Sequence, residues 1–91
     1  MTEQLQENKI KSLRAEIDVI DDTISALLKK RFSLVKKIGA IKKEILCPVT
    51  DPSREALILQ KVSKDLDDKD EKLALKSIYT AIIKECTNLQ K

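Results

Sequence analysis

The chain has 91 residues, with 18 Lys or Arg against 15 Asp or Glu, net charge +3, no His, no Trp, one Gly, two Pro, two Cys, one Tyr and one Phe. That length makes one small domain or one subunit. The composition excludes histidine-based acid–base or nucleophilic catalysis, a glycine-rich phosphate loop and a base-stacking surface. Cys47 and Cys86 form no C-x-x-C pair, so no zinc site and no other metal site is expected.

The first predicted element is one long helix over about residues 9–46. This stretch has no Pro, and its only Gly is Gly39. Its polar start, MTEQLQENKIKSL, lacks the apolar core of a signal peptide. The longest apolar run of the chain, residues 56–59, is too short for a membrane span, and a cytoplasmic protein without membrane association is expected. Residues 1–45 carry ten Lys or Arg against seven Asp or Glu, while residues 51–91 carry eight of each. This modest excess suits a solvated helix surface, not a nucleic-acid partner.

Apolar residues follow a 3-4 alternation along this helix. One seam series is Ile10, Ile17, Ile24, Arg31, Ile38, Ile45; the other is Leu13, Ile20, Leu27, Leu34, Ile41. A helix of about 37 residues is roughly 55 Å long, longer than a compact domain of this size. Two shorter helices cannot cover its whole seam, so a homodimer of packed long helices is expected.

Arg31 is the only charge in the seam. Such a side chain is costly unless paired. It is either a partner-satisfied structural Arg or a cation facing a bound anion. Lys42, eleven residues on, falls within about 20° of the same helical face and about 16 Å away. Arg14 flanks the seam at about 25 Å from Arg31, so it reaches a small shared site only from an antiparallel partner chain.

The segment Cys47-Pro48-Val49-Thr50-Asp51-Pro52 ends the first helix. A loop over 47–52 and a second helix over about 53–66 are predicted, capped by Asp51 or Ser53. Glu55 is favourable in its first turn, whereas Arg54 is a cation at the positive end of a helix, which a bound anion would explain. The acidic stretch Asp65–Glu71 supplies a loop and a cap for a third helix over about 70–89. The stripe of this helix is Leu75, Ile78, Tyr79, Ile82, Ile83, Cys86 and Leu89. Cys86 and Gln90 share a face at i, i+4. The fold class is all-α: a single domain of three helices per chain, the first very long, in an intertwined homodimer.

The ordered set Leu13-Arg14-x-x-Ile17-Asp18, Leu27-Leu28-x-x-Arg31, Ile38-Gly39-x-x-Lys42, Pro48-Val49-x-Asp51-Pro52-x-Arg54-Glu55 and Ile82-Ile83-x-x-Cys86-x-x-x-Gln90 resembles the all-helical family of chorismate mutases. The resemblance covers nearly the whole chain. It implies an intertwined dimer with two sites, and the Claisen rearrangement of the dianion chorismate to prephenate on the way to phenylalanine and tyrosine. No cofactor is implied, and no general base, which agrees with the missing His.

By position, Arg31 and a partner's Arg14 would bind the enolpyruvyl carboxylate. Arg54, aided by Cys86, would hold the ring carboxylate. Lys42 and Gln90 would donate to the ether oxygen, and Glu55, with Asp51 nearby, would accept from the ring hydroxyl. Many members carry Ser at the position of Cys86, and a thiol is the weaker donor. The resemblance also embraces a related lyase that eliminates pyruvate from isochorismate, but the Arg54-Glu55 pair favours the mutase. A non-catalytic helical dimerisation module would explain the seam, but not Arg31 or Arg54. Such domains are often fused to other enzymes of the same pathway, for which 91 residues leave no room; a free-standing protein and a domain of a longer one both stay open, and little feedback control is expected.

Overall fold

Three helices follow one another in the computed structural model, which describes residues 2–91. They are α1 (Thr2–Glu44), α2 (Pro52–Val62) and α3 (Lys69–Gln90). α1 begins well before the position expected from its seam. Residues 2–8 contain neither Gly nor Pro, and Glu3 sits favourably in the first turn. No helix among the described residues is long and apolar enough to cross a membrane.

α1 ends two residues earlier than expected, and the reason is its cap. The Cys47 amide donates to the Lys42 carbonyl at 2.8 Å, and the Leu46 amide to the Lys43 carbonyl at 3.4 Å. Leu46 adopts a left-handed backbone with φ 55°. Together these form a Schellman motif, with Leu in the place glycine usually fills. Lys42 and Lys43 in the last turn oppose the negative end of the helix dipole.

Of the two candidate caps for α2, Asp51 does the work: its Oδ1 accepts from the Arg54 amide at 3.1 Å, and Pro52 occupies the first turn. α2 stops at Val62, where the Ser63 hydroxyl donates back to the Leu59 carbonyl at 3.1 Å. Asp68 caps α3 through the Glu71 amide at 3.0 Å.

The chain divides into a unit ending at Arg31 and a second unit, Phe32–Lys91. The described residues of the first are all helical, with Ile10, Leu13, Ile17, Ile20, Ile24 and Leu27 exposed. In the second unit α2 packs on α3. Its core holds Val35 and Gly39 from α1 with Ile83 and Cys86 from α3. Tyr79 and Ile82 are half-buried beside them, as are Ile58 and Val62 of α2. Leu34, Ile38, Ile41 and Ile45, on the continuation of the seam, are exposed.

Candidate active site

The second unit assembles most of the polar residues singled out by the sequence. Lys42 is half-buried in the last turn of α1, and its Nζ donates to the Val49 carbonyl at 3.1 Å. The acceptor lies two residues before Asp51, so the loop that holds the ammonium also starts α2. Immediately beyond stand Arg54, exposed, and Glu55, half-buried.

From α3, Cys86 is almost fully buried at 2% exposure, and Gln90 is half-buried one turn later. The Gln90 amide donates through Nε2 to the Cys86 carbonyl at 3.4 Å. Its Oε1 is buried and lacks a hydrogen-bond partner. A buried amide oxygen without a donor carries a desolvation cost. The second N–H of the same nitrogen remains available to an acceptor.

Gly39 explains how Gln90 comes so near α1. A Cβ at position 39 would lie 2.7 Å from both the Cα and the carbonyl oxygen of Gln90, and 3.0 Å from its Cβ. Only a residue without a side chain permits this approach. Lys42 follows Gly39 by less than one turn of the same helix. The end of α3 is therefore set beside the helical segment that carries Lys42.

Glu55 also lines a groove between α2 and α3, together with Leu59, Ile83, Lys84, Thr87 and others. Its volume is about 280 Å³, at the lower edge of the roughly 300–1,000 Å³ usual for small-molecule pockets. Arg14, exposed, and Arg31, half-buried, belong to the first unit. Among the described residues no group of three or more His, Cys, Asp or Glu is placed to hold a metal.

The sequence reading named Lys42 and Gln90 but missed what positions them. The Val49 carbonyl is a backbone group and leaves no trace in residue type. Gly39 did leave a signal, as the only glycine of the chain. Lys42, the Asp51 cap, Gln90 and the tight helix crossing thus all lie within the second unit.

The family model for type II chorismate mutases matches residues 13–91. The chain belongs to the type II chorismate mutase family.

Among its relatives is the bifunctional chorismate mutase/prephenate dehydratase of Aquifex aeolicus, 39% identical over 87 residues, covering 91% of this chain and 24% of that protein. The chorismate mutase of Methanocaldococcus jannaschii is 34% identical over 85 residues, covering 91% of this chain and 85% of that protein. The 4-amino-4-deoxychorismate mutase of Streptomyces venezuelae is 30% identical over 92 aligned positions, covering 99% of this chain and 85% of that protein. The chain thus spans about a quarter of the length of the bifunctional relative and most of the length of the other two. As a member of the type II chorismate mutase family it is an all-α, three-helix chain.

Proposed function

We propose that the protein is a chorismate mutase that rearranges chorismate to prephenate as a homodimer with shared sites. The observation that carries this reading is the tight contact of Gln90 with Gly39, less than a turn before Lys42, in a chain that matches the family over residues 13–91. In this reaction the ether C–O bond breaks as a C–C bond forms between the enolpyruvyl methylene and the ring. No proton is gained or lost. The protein therefore has two tasks, to select the compact conformer of a dianion and to stabilise charge at the ether oxygen.

Arg31 and the partner's Arg14 grip the enolpyruvyl carboxylate, while Arg54, aided by Cys86, receives the ring carboxylate. Fixing both ends removes conformational freedom before the chemical step. Lys42 and Gln90 donate to the ether oxygen, where negative charge grows as the bond breaks, so their interaction is strongest in the transition state. Glu55, with Asp51 nearby, accepts from the ring hydroxyl.

A dimer is supported by the exposed seam of α1. Ile10, Leu13, Ile17, Ile20, Ile24 and Leu27 lie between 48% and 59% exposed, a continuous apolar stripe of the kind that marks an interface.

The decisive experiment follows chorismate absorbance with the purified protein and with Arg31→Ala. Loss of most of the rate in the variant supports the reading, and equal rates for both proteins and the uncatalysed control refute it. The shared site has its own test. Mixing Arg14→Ala with Arg31→Ala chains should regenerate roughly a quarter of the sites, because half of the random two-fold dimers are mixed and each holds one intact site. The same mixture remaining inactive would place both arginines in one chain's site.

A second reading follows from the Streptomyces relative, whose name specifies an amino group in place of the ring hydroxyl. The Glu55 carboxylate could accept from either group. Competition between chorismate and 4-amino-4-deoxychorismate, measured as the ratio of kcat/KM, decides between them.

A further inference from the structure

Lys42 is held by the loop that follows it, and the course of that loop turns on one residue. We propose that Leu46 is a positioning residue for Lys42: its left-handed backbone directs the chain so that the Val49 carbonyl receives the Lys42 ammonium. The inference rests on the reading of Lys42 as a donor to the ether oxygen.

Leu46 is the only described non-glycine residue with positive φ, at 55°. A branched aliphatic residue is disfavoured there, since its Cβ crowds the backbone. Its side chain offers no compensation within the chain, being 91% exposed. What holds the conformation is the backbone around it. The amides of Leu46 and Cys47 bond back to the carbonyls of Lys43 and Lys42, and Pro48 biases Cys47 toward an extended form.

The consequence falls on Lys42 at both ends. Its carbonyl is tied to the Cys47 amide at 2.8 Å and its ammonium to the Val49 carbonyl at 3.1 Å. A lysine side chain is otherwise a flexible stem with a mobile charge. One N–H directed at Val49 leaves two for a ligand, with the stem already ordered. A donor that is ordered beforehand needs no reorganisation as charge develops.

The test compares Leu46→Gly, Leu46→Asn and Leu46→Ile, each alone and combined with Lys42→Met, with kcat and KM for chorismate measured on the whole protein. Gly and Asn accept the left-handed conformation and should keep kcat near that of the parent chain. Ile resists it and should lower kcat by roughly five- to tenfold with little change in KM. In the Lys42→Met background the three variants should be equal, because the group they position is gone. An equal further loss on adding Leu46→Ile to Lys42→Met would overturn the proposal while leaving the role of Lys42 intact. Loss of activity in Leu46→Gly, with dissociation in sedimentation, would also overturn it by showing that the side chain meets a partner. An unchanged kcat in Lys42→Met alone would overturn the reading of Lys42, and this proposal with it.

Discussion

Gly39 of α1 and Gln90 of α3 touch backbone to backbone, and a Cβ on residue 39 would fall 2.7 Å from the Cα and carbonyl oxygen of Gln90. The crossing places the last turn of α3 against α1 less than a turn before Lys42. A donor amide in the last turn of α3 is thereby held by packing, where an unpacked helix end would fray.

Gly39→Ala is therefore expected to damage catalysis more than binding. In a solvated helix interior this change would stabilise by about 1 kcal/mol through helix propensity. Here the new methyl meets backbone atoms of α3, and overpacking typically costs about 1–3 kcal/mol. The net effect should be a modest destabilisation in denaturant titration. The larger effect should be a drop in kcat, as α3 moves Gln90 away. A variant more stable than its parent with full kcat would show that α3 relaxes without losing its aim.

Gln90→Glu should make the rate pH-dependent. A neutral carboxyl can still donate to the ether oxygen, while the ionised form only accepts and repels the substrate's charge. Activity should be present at pH below the pKa of the introduced carboxyl and fall as pH rises through it. The ordinary value for Glu is about 4.3, and partial burial moves it upward. A flat kcat profile in this variant, matching that of the parent chain, would remove Gln90 from the reaction.

The two helix caps separate stability from activity. Asp51 and Asp68 make the same bond, to the Arg54 amide at 3.1 Å and the Glu71 amide at 3.0 Å. Replacing either by Ala should cost about 1 kcal/mol. Only Asp51→Ala should also change kcat/KM, because it loosens the turn that carries Arg54 and Glu55. Asp68 sits roughly 30 Å from Gln90 along α3, so its variant should keep native kinetics. Equal kinetic losses in the two variants would mean that general destabilisation explains both.

Introducing a charge into the exposed seam should separate the chains. Ile24→Lys alters a residue that is 48% exposed, so its effect on an isolated subunit should be small. In a dimer it would bury an unpaired charge. Sedimentation equilibrium should then show a monomer, with activity falling in parallel. A variant that stays dimeric and active would move the interface to another face.

Much of this structure could be read from residue order. The seam from Ile10 to Ile45 announces a long helix, and Pro48 and Pro52 mark where it must end. The acidic residues at 51 and 68 fall where helix starts need them. Helix limits were less legible. α1 extends back to Thr2 because polar residues of good propensity continue a helix without an apolar stripe to signal it. α2 stops at Val62, short of the expected residue 66, and the chain passes into tighter turns, with the Lys64 amide on the Lys61 carbonyl at 3.4 Å and the Leu66 amide on the Ser63 carbonyl at 3.3 Å.

The short composition that excluded histidine catalysis, phosphate loops and metal clusters also determined the kind of chemistry left to this chain. Local order in the sequence determined three helices, an uncovered apolar seam and a set of cations and amides at helical spacings, because these depend on nearest neighbours and periodicity. Only the tertiary structure decided how the donors are held. The crossing of α1 and α3 at Gly39 requires a contact between residues about 50 positions apart, and Lys42 is fixed by a backbone carbonyl that any residue at position 49 would carry. Such interactions depend on where the chain goes after it folds, so residue types alone do not encode them.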